Sequence, residues 1–141
     1  MSKIFWDTNL FIYLIEQTPA LYQKVSSFRQ KMIENNDVLV TSALTLGELL
    51  VKPLEENRND LADKYLELLI SGAVVVSFDD KAAESFAEIR AANKTIKPPD
   101  AIQLSCAASY GVDEFYTNDA RLSHLEIEGI GKIKQLADYA E

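Results

Sequence analysis

Four short apolar runs, each set apart from the next by at least one helical pattern, constrain this chain more than any other feature. Ile4-Phe5-Trp6, Val38-Leu39-Val40-Thr41, Val74-Val75-Val76 and Glu114-Phe115-Tyr116-Thr117 all favour extended structure. The first is apolar at every position, as a strand covered on both faces must be. It stops at Asp7-Thr8-Asn9, and the apolar stretch Leu10-Phe11-Ile12-Tyr13-Leu14-Ile15 follows at once. Strand, turn and helix in immediate succession place Asp7 at the carboxyl end of a buried strand, the edge where ligands of open α/β sheets bind. A carboxylate there needs hydrogen-bonding partners or a cation.

The segments between the runs read as helices. Residues 20–36, entered at Pro19, put Leu21, Val25, Phe28, Met32 and Ile33 on one face. Ser42 is an N-cap, and the helix after it carries Glu48 and meets Pro53, which should bend or stop it. A polar link over residues 55–60 leads to a helix over 61–70, closed by Ser71-Gly72. Asp79 or Asp80 caps the next helix, which runs to Asn93. Pro98-Pro99 pre-sets a helix over 100–110 that ends at Gly111, and its small residues Ala101, Ser105, Ala107, Ala108 and Ser109 suit close packing on a sheet. Residues 129–133 lead into a weak final edge strand. This alternation predicts a three-layer α/β domain with a mainly parallel central sheet of four to five strands flanked by helices. Residues 1–141 form one domain, long enough to bury roughly two thirds of its unfolded surface without staples, and no repeat or linker divides it.

Composition narrows the function. The single cysteine, Cys106, cannot form an intramolecular bridge and is expected to be a small buried thiol in a reducing cytoplasm. Three apolar residues after Lys3 are too few for a signal peptide, and no apolar run approaches the ~18 residues of a membrane span, so no membrane association is expected. With 14 basic against 22 acidic side chains the net charge is −8, which argues against a protein that coats nucleic acid by bulk charge. A nuclease that recruits phosphate through a metal held by its acids remains compatible with that balance.

Four carboxylates stand out, each with a plainer explanation beside the functional one. Asp7 is placed to cap a helix, Asp100 to complement a helix dipole, and Asp119 to make an Asn-Asp turn. Glu48 is harder to dismiss, because Leu44-Thr45-Leu46-Gly47-Glu48-Leu49-Leu50-Val51 has so few polar positions that its helix should be buried on most sides. Two of the acids end strands and two lie on helices leaving the sheet, so all four can meet at one edge. Clustered carboxylates repel unless a cation is bound, and an open, oxygen-only ligand set suits Mg²⁺ or Mn²⁺ rather than zinc. Metal-assisted phosphodiester hydrolysis is the chemistry such a site performs.

The same residues carry a resemblance. Ile4-Phe5-Trp6-Asp7-Thr8-Asn9, Thr45-Leu46-Gly47-Glu48-Leu49, Pro99-Asp100-Ala101-Ile102-Gln103-Leu104 and Tyr116-Thr117-Asn118-Asp119, in that order over nearly the whole chain, resemble the PIN-domain family, and in particular the small ribonuclease toxins of VapBC toxin–antitoxin pairs. The resemblance implies that Asp7, Glu48, Asp100 and Asp119 form a catalytic metal site for Mg²⁺ or Mn²⁺, with Asp7 and Asp100 as the firmest ligands and Glu48 and Asp119 binding through water or orienting the nucleophile. Thr8, Asn9, Thr117 and Asn118 are the implied supporting residues. It further implies an RNA substrate, a homodimer and a silencing antitoxin partner. Lys97 and Arg121, close in sequence to Asp100 and Asp119, are candidates to touch substrate phosphate. Gly47 ahead of the helical acid and the Pro98-Pro99 pair leave the subgroup open.

Other assignments fit less well. A phospho-accepting receiver domain needs an acidic pair ending the first strand, and here Thr8 follows Asp7. A haloacid-dehalogenase-like phosphatase needs Asp at position 9, where Asn9 stands. His124, the only histidine, has no nucleophile motif beside it and is expected at the surface, and Trp6 is expected in the core. The rival from another class is a non-catalytic PIN-fold interaction module in an RNA-processing assembly.

Overall fold

The computed structural model describes residues 1–140. Its strands are β1 (Lys3–Trp6), β2 (Val38–Ser42), β3 (Val74–Val76), β4 (Val112–Thr117) and β5 (Ile130–Gln135), all parallel, in the order β3-β2-β1-β4-β5. The helices are α1 (Thr8–Ile15), α2 (Tyr22–Glu34), α3 (Ala43–Glu55), α4 (Asn59–Gly72), α5 (Asp80–Ala92) and α6 (Pro98–Tyr110). The expected sheet thus has its full five strands, with β1 at its centre.

Alternation along β1 divides the core. Ile4 and Trp6 face a cluster with Leu10, Phe11, Phe28, Leu49 and Tyr65, contributed by α1 to α4. Phe5 faces the opposite cluster, where it stacks on Phe115 at 4.8 Å and meets Ile89, Ala101, Leu104 and Ala107 of α5 and α6. Helices on both faces make the three layers. The small residues expected to let α6 lie close to the sheet are buried where they face it: Ala101, Ser105 and Ala107.

After β1 the chain builds outward through β2 and β3, then returns to place β4 on the other flank of β1. Strand order therefore reverses beside β1, and the Asp7 amide donates to the Tyr116 carbonyl across that junction at 3.0 Å. A crevice at the carboxyl ends of the strands forms at such a reversal.

Two local expectations need correction. α3 is not buried on most sides: Thr45, Leu49 and Pro53, spaced four apart, form its buried stripe, whereas Gly47 and Glu48 are exposed and Val51 and Leu54 are 55% and 56% exposed. A single stripe suffices because only one side of α3 packs against the rest of the domain. Pro53, expected to bend or stop that helix, lies in its last turn, two residues before the end at Glu55, and the Pro53 carbonyl accepts from the Arg58 amide at 2.7 Å. The final strand is also longer than residues 129–133 suggested, because β5 pairs with β4 from Ile130 to Gln135. Gly129 permits that pairing: its φ is +97°, and a Cβ there would stand 2.3 Å from the Ala108 carbonyl oxygen. No described helix is long and apolar enough to cross a membrane.

Two glycine substitutions should move stability in opposite directions in urea melts. Gly129→Ala meets both a left-handed backbone and the Ala108 carbonyl, and should cost more than about 1 kcal/mol. Gly47→Ala lies inside a helix, with nothing within 4 Å of the added methyl, and should stabilise by ~1 kcal/mol.

Candidate active site

The carboxyl ends of β1 and β4 and the amino-terminal parts of α1, α3 and α6 surround a cleft of about 340 Å³, lined by Asp7, Thr8, Asn9, Ile12, Glu48, Pro99, Asp100, Gln103 and Asp119. The four acids singled out in sequence therefore line one cleft, although they come from four separate segments. A larger hollow of about 760 Å³ lies beside β5, between residues 123–128 and that strand, but the acids at its wall alternate with lysines and with apolar side chains. Chemistry rather than size selects the smaller cleft.

Asp7 is both a helix cap and a cleft residue. Its Oδ1 accepts from the Thr8 amide at 2.5 Å and its Oδ2 from the Thr117 hydroxyl at 2.8 Å. Burial raises its carboxyl above the ordinary range, and the Asp100 and Glu48 charges add to that, while these two hydrogen bonds act in the opposite direction. Asp100, in the first turn of α6, is raised mainly by burial and then by Asp119 and Glu48, with Arg121 and Lys97 opposing. Asp119 goes the other way, because Arg121 hydrogen-bonds to it and holds it below the ordinary range. That pair closes at 2.7 Å between Arg121 Nη2 and Asp119 Oδ2, and among the described residues Asp119 alone of the four acids is ion-paired. Glu48 is exposed to the cleft, where its Oε1 accepts from the Thr8 hydroxyl at 2.7 Å.

Of the four polar residues expected to support the acids, Thr8 and Thr117 touch them. Thr117 donates to Asp7 and its oxygen accepts from the Asp119 amide at 3.0 Å, so one hydroxyl fixes two acids. Asn9 is exposed at the cleft rim. Asn118 is turned away: its amide donates to the Tyr13 hydroxyl at 2.8 Å, tying the turn after β4 to α1. Lys97 and Arg121 line an adjoining cavity of about 420 Å³, together with Lys94, which shares Asp100 and Asp119 with the acidic cleft.

Sequence reasoning passed over the residue that binds these segments together. Gln103, 3% exposed, reaches Thr8, Thr45 and Ser42. The signal was available, since a long amide among Leu, Ser, Cys and Ala, three residues after Asp100, is a polar group on a helix face that packs against the sheet. Cys106, Trp6 and His124 fall where expected, the first two buried and the last exposed.

The donor set suits a hard divalent cation: four carboxylates in one cleft, no sulfur or imidazole among its lining residues, and only one of the four charges paired. As arranged, no three of the described acids converge into a ready-made cation cage. Asp119 is drawn to Arg121, so bringing its carboxylate to a shared cation requires that side chain to turn, whereas Glu48 already faces the cleft from its hydrogen bond with Thr8.

The profile of the PIN domain family matches residues 4–128, and the chain belongs to that family. It is 27% identical over 120 residues to the ribonuclease VapC23 of Mycobacterium tuberculosis strain H37Rv, a match that covers 85% of this chain and 95% of the relative. Among solved structures it resembles DNA-bound VapBC from Salmonella typhimurium, with a TM-score of 0.66 and 27% identity over 96% of this chain and 99% of the other. VapBC2 from Rickettsia felis, bound to a DNA fragment from its promoter, superposes with a TM-score of 0.76 over 94% and 98% of the two chains, and at 17% identity speaks for the fold alone.

Crowded carboxylates give a sign that a helix-terminal charge would not. Asp100→Asn removes one repelling charge, so its melting temperature in chelator should equal or exceed that of the wild type; a carboxylate serving only the α6 dipole would instead lose about 0.3–1 kcal/mol. Asp7 and Asp100 have folded values above the ordinary 3.8, so their ionised forms oppose folding. Their contribution to metal-free stability should improve as pH falls from neutral through the raised values towards 3.8, and the gain should shrink in Asp100→Asn. Asp119 contributes with the opposite sign, weakly, because its partner Arg121 is exposed. Thermal melts across pH check both statements.

Proposed function

We infer that this PIN domain is a divalent-metal-dependent endoribonuclease, the toxin of a toxin–antitoxin pair, with Asp7, Glu48, Asp100 and Asp119 as its catalytic metal site. The observation that carries the inference is the meeting of four carboxylates from four chain segments in one cleft where the strand order reverses. Asp7 and Asp100, whose charges are the least compensated, are the residues that would hold Mg²⁺ or Mn²⁺. When bound, such a cation supplies an activated water and offsets charge on the phosphoryl group. Glu48, fixed by Thr8 and open to the cleft, is placed to orient the attacking water. Asp119, on release from Arg121, completes the acidic ring, and Arg121 is then free to meet a substrate phosphate.

RNA is the favoured substrate on two counts. The curated relative is a ribonuclease, and Lys94, Lys97 and Arg121 line the adjoining cavity, so a strand leaving the acids enters a basic surface on a protein of net charge −8. The same acids suit an inhibitory antitoxin that presents a basic side chain, and VapBC, to which the Salmonella structure belongs, is a family of toxin–antitoxin systems. A homodimer is proposed on the family resemblance. A non-catalytic interaction module has no use for half-buried, mutually repelling acids in one cleft, which counts against that rival.

Purified protein should cut single-stranded RNA only with Mg²⁺ or Mn²⁺, and activity that survives chelation would overturn the assignment. Wild type should gain about 2.7 kcal/mol of stability when Mn²⁺ is ~100 times its dissociation constant, and Asp100→Asn should lose most of that gain together with cleavage. Lys97→Ala should weaken RNA binding and flatten the slope of log K against log salt by about 0.7 for the phosphate contact removed. A partner that silences the enzyme should weaken Mn²⁺ binding as Mn²⁺ weakens the partner's; simultaneous saturation by both without mutual cost would reject an occupied cleft.

A further inference from the structure

The geometry points to Gln103 as a positioning residue that sets Glu48 through the Thr8 hydroxyl; this deepens the nuclease assignment above and rests on it. Glu48 Oε1 and Thr8 Oγ1 are 2.7 Å apart, and an ionised carboxylate only accepts, so the single hydroxyl hydrogen of Thr8 is committed to Glu48. Thr8 must then accept from everything else that reaches it. The Gln103 side chain lies 3.1 Å from Thr8 Oγ1 and 2.8 Å from Thr45 Oγ1, and it can satisfy both only by turning its NH₂ towards them. Its carbonyl then faces Ser42 Oγ at 2.5 Å, which donates to it while accepting the Thr45 amide at 3.3 Å as the cap of α3. Thr45 Oγ1, 3.2 Å from Thr8 Oγ1, directs its own hydrogen there.

Every hydrogen in this network is assigned by that first constraint. Thr8 gives one and takes two, and Gln103 gives two and takes one, all within a region where Thr8, Ser42, Thr45 and Gln103 are buried. The direction runs from Ser42 to Gln103 to Thr8 to Glu48. It also joins the three helices that carry Asp7, Glu48 and Asp100 at their amino ends: Thr8 opens α1, Ser42 and Thr45 open α3, and Gln103 lies one turn beyond Asp100 on α6. Removing the amide frees Thr8 to rotate, and the Glu48 carboxylate loses its fixed orientation.

The test compares Gln103→Met, which keeps the length and loses the donors, in wild-type and Thr8→Val backgrounds. In the wild-type background Gln103→Met should lower kcat for RNA cleavage in Mn²⁺ by ~10–100-fold and weaken Mn²⁺ binding by calorimetry, with KM for RNA within about twofold. In the Thr8→Val background the same substitution should change neither kcat nor the Mn²⁺ dissociation constant by more than about twofold, because the path through the hydroxyl is already cut. Equal losses in both backgrounds would mean that Gln103 merely packs, and would overturn the inference. If Gln103→Met melts below the assay temperature, Gln103→Asn, whose shorter amide cannot span Ser42 and Thr8 together, leaves the other partners of Thr8 in place and carries the same comparison. Wild type that leaves RNA intact in Mn²⁺ rejects the nuclease assignment; the calorimetric comparison then stands alone, and equal Mn²⁺ dissociation constants for wild type and Gln103→Met would reject the role of Gln103 separately.

Discussion

Asp7 sits at the carboxyl end of the central strand of a parallel sheet, half-buried, and its charge has to be accommodated by what surrounds it. Backbone and hydroxyl donors do part of this, through the Thr8 amide and Thr117. They do not neutralise it, and the fold brings three further carboxylates to the same cleft instead of a base. An arrangement of that kind is unfavourable for the isolated protein and becomes favourable when a cation enters, which is why the site reads as built for binding rather than for stability.

The protein moderates the imbalance at one corner only. Arg121 covers Asp119 from the solvent side, where a guanidinium keeps most of its hydration and is readily released. Deeper in the cleft, where a buried base would be hard to displace, Asp7 is left to its hydrogen bonds from Thr8 and Thr117, and neither it nor Asp100 is ion-paired. The compensated charge is thus the exposed one, and the uncompensated charges lie where a cation would gain most from them.

Much of this was legible in the chain. Strand runs apolar on both faces announced a covered parallel sheet, and the pattern of Pro98-Pro99, Asp100 and Gly111 located α6 to within two residues. Asp7, Asp100 and Asp119 could be picked out because each follows a strand or opens a helix, and Glu48 because it stands in an almost wholly apolar stretch. What sequence could not supply was direction. The apolar stretch around Glu48 suggested a helix enclosed on most sides, yet Val51 and Leu54 face outward, because periodicity gives a stripe without saying how much of the remainder is covered. Asn118, adjacent to two residues that do hold acids, turns to Tyr13 instead. Gln103 escaped notice since its partners lie 61 and 95 residues away, and only the assembled sheet brings them within reach.

That separation bears on when the molecule can act. The hydrogen bond between Thr117 and Asp7 spans 110 residues, and β1 has no neighbour on that flank until β4 has been made. A nascent chain emerging from the ribosome therefore carries Asp7 and Glu48 long before it carries the groups that orient them, and contacts of such sequence range form late. A cleft assembled from both ends of the chain is therefore completed only once β4 has taken its place beside β1.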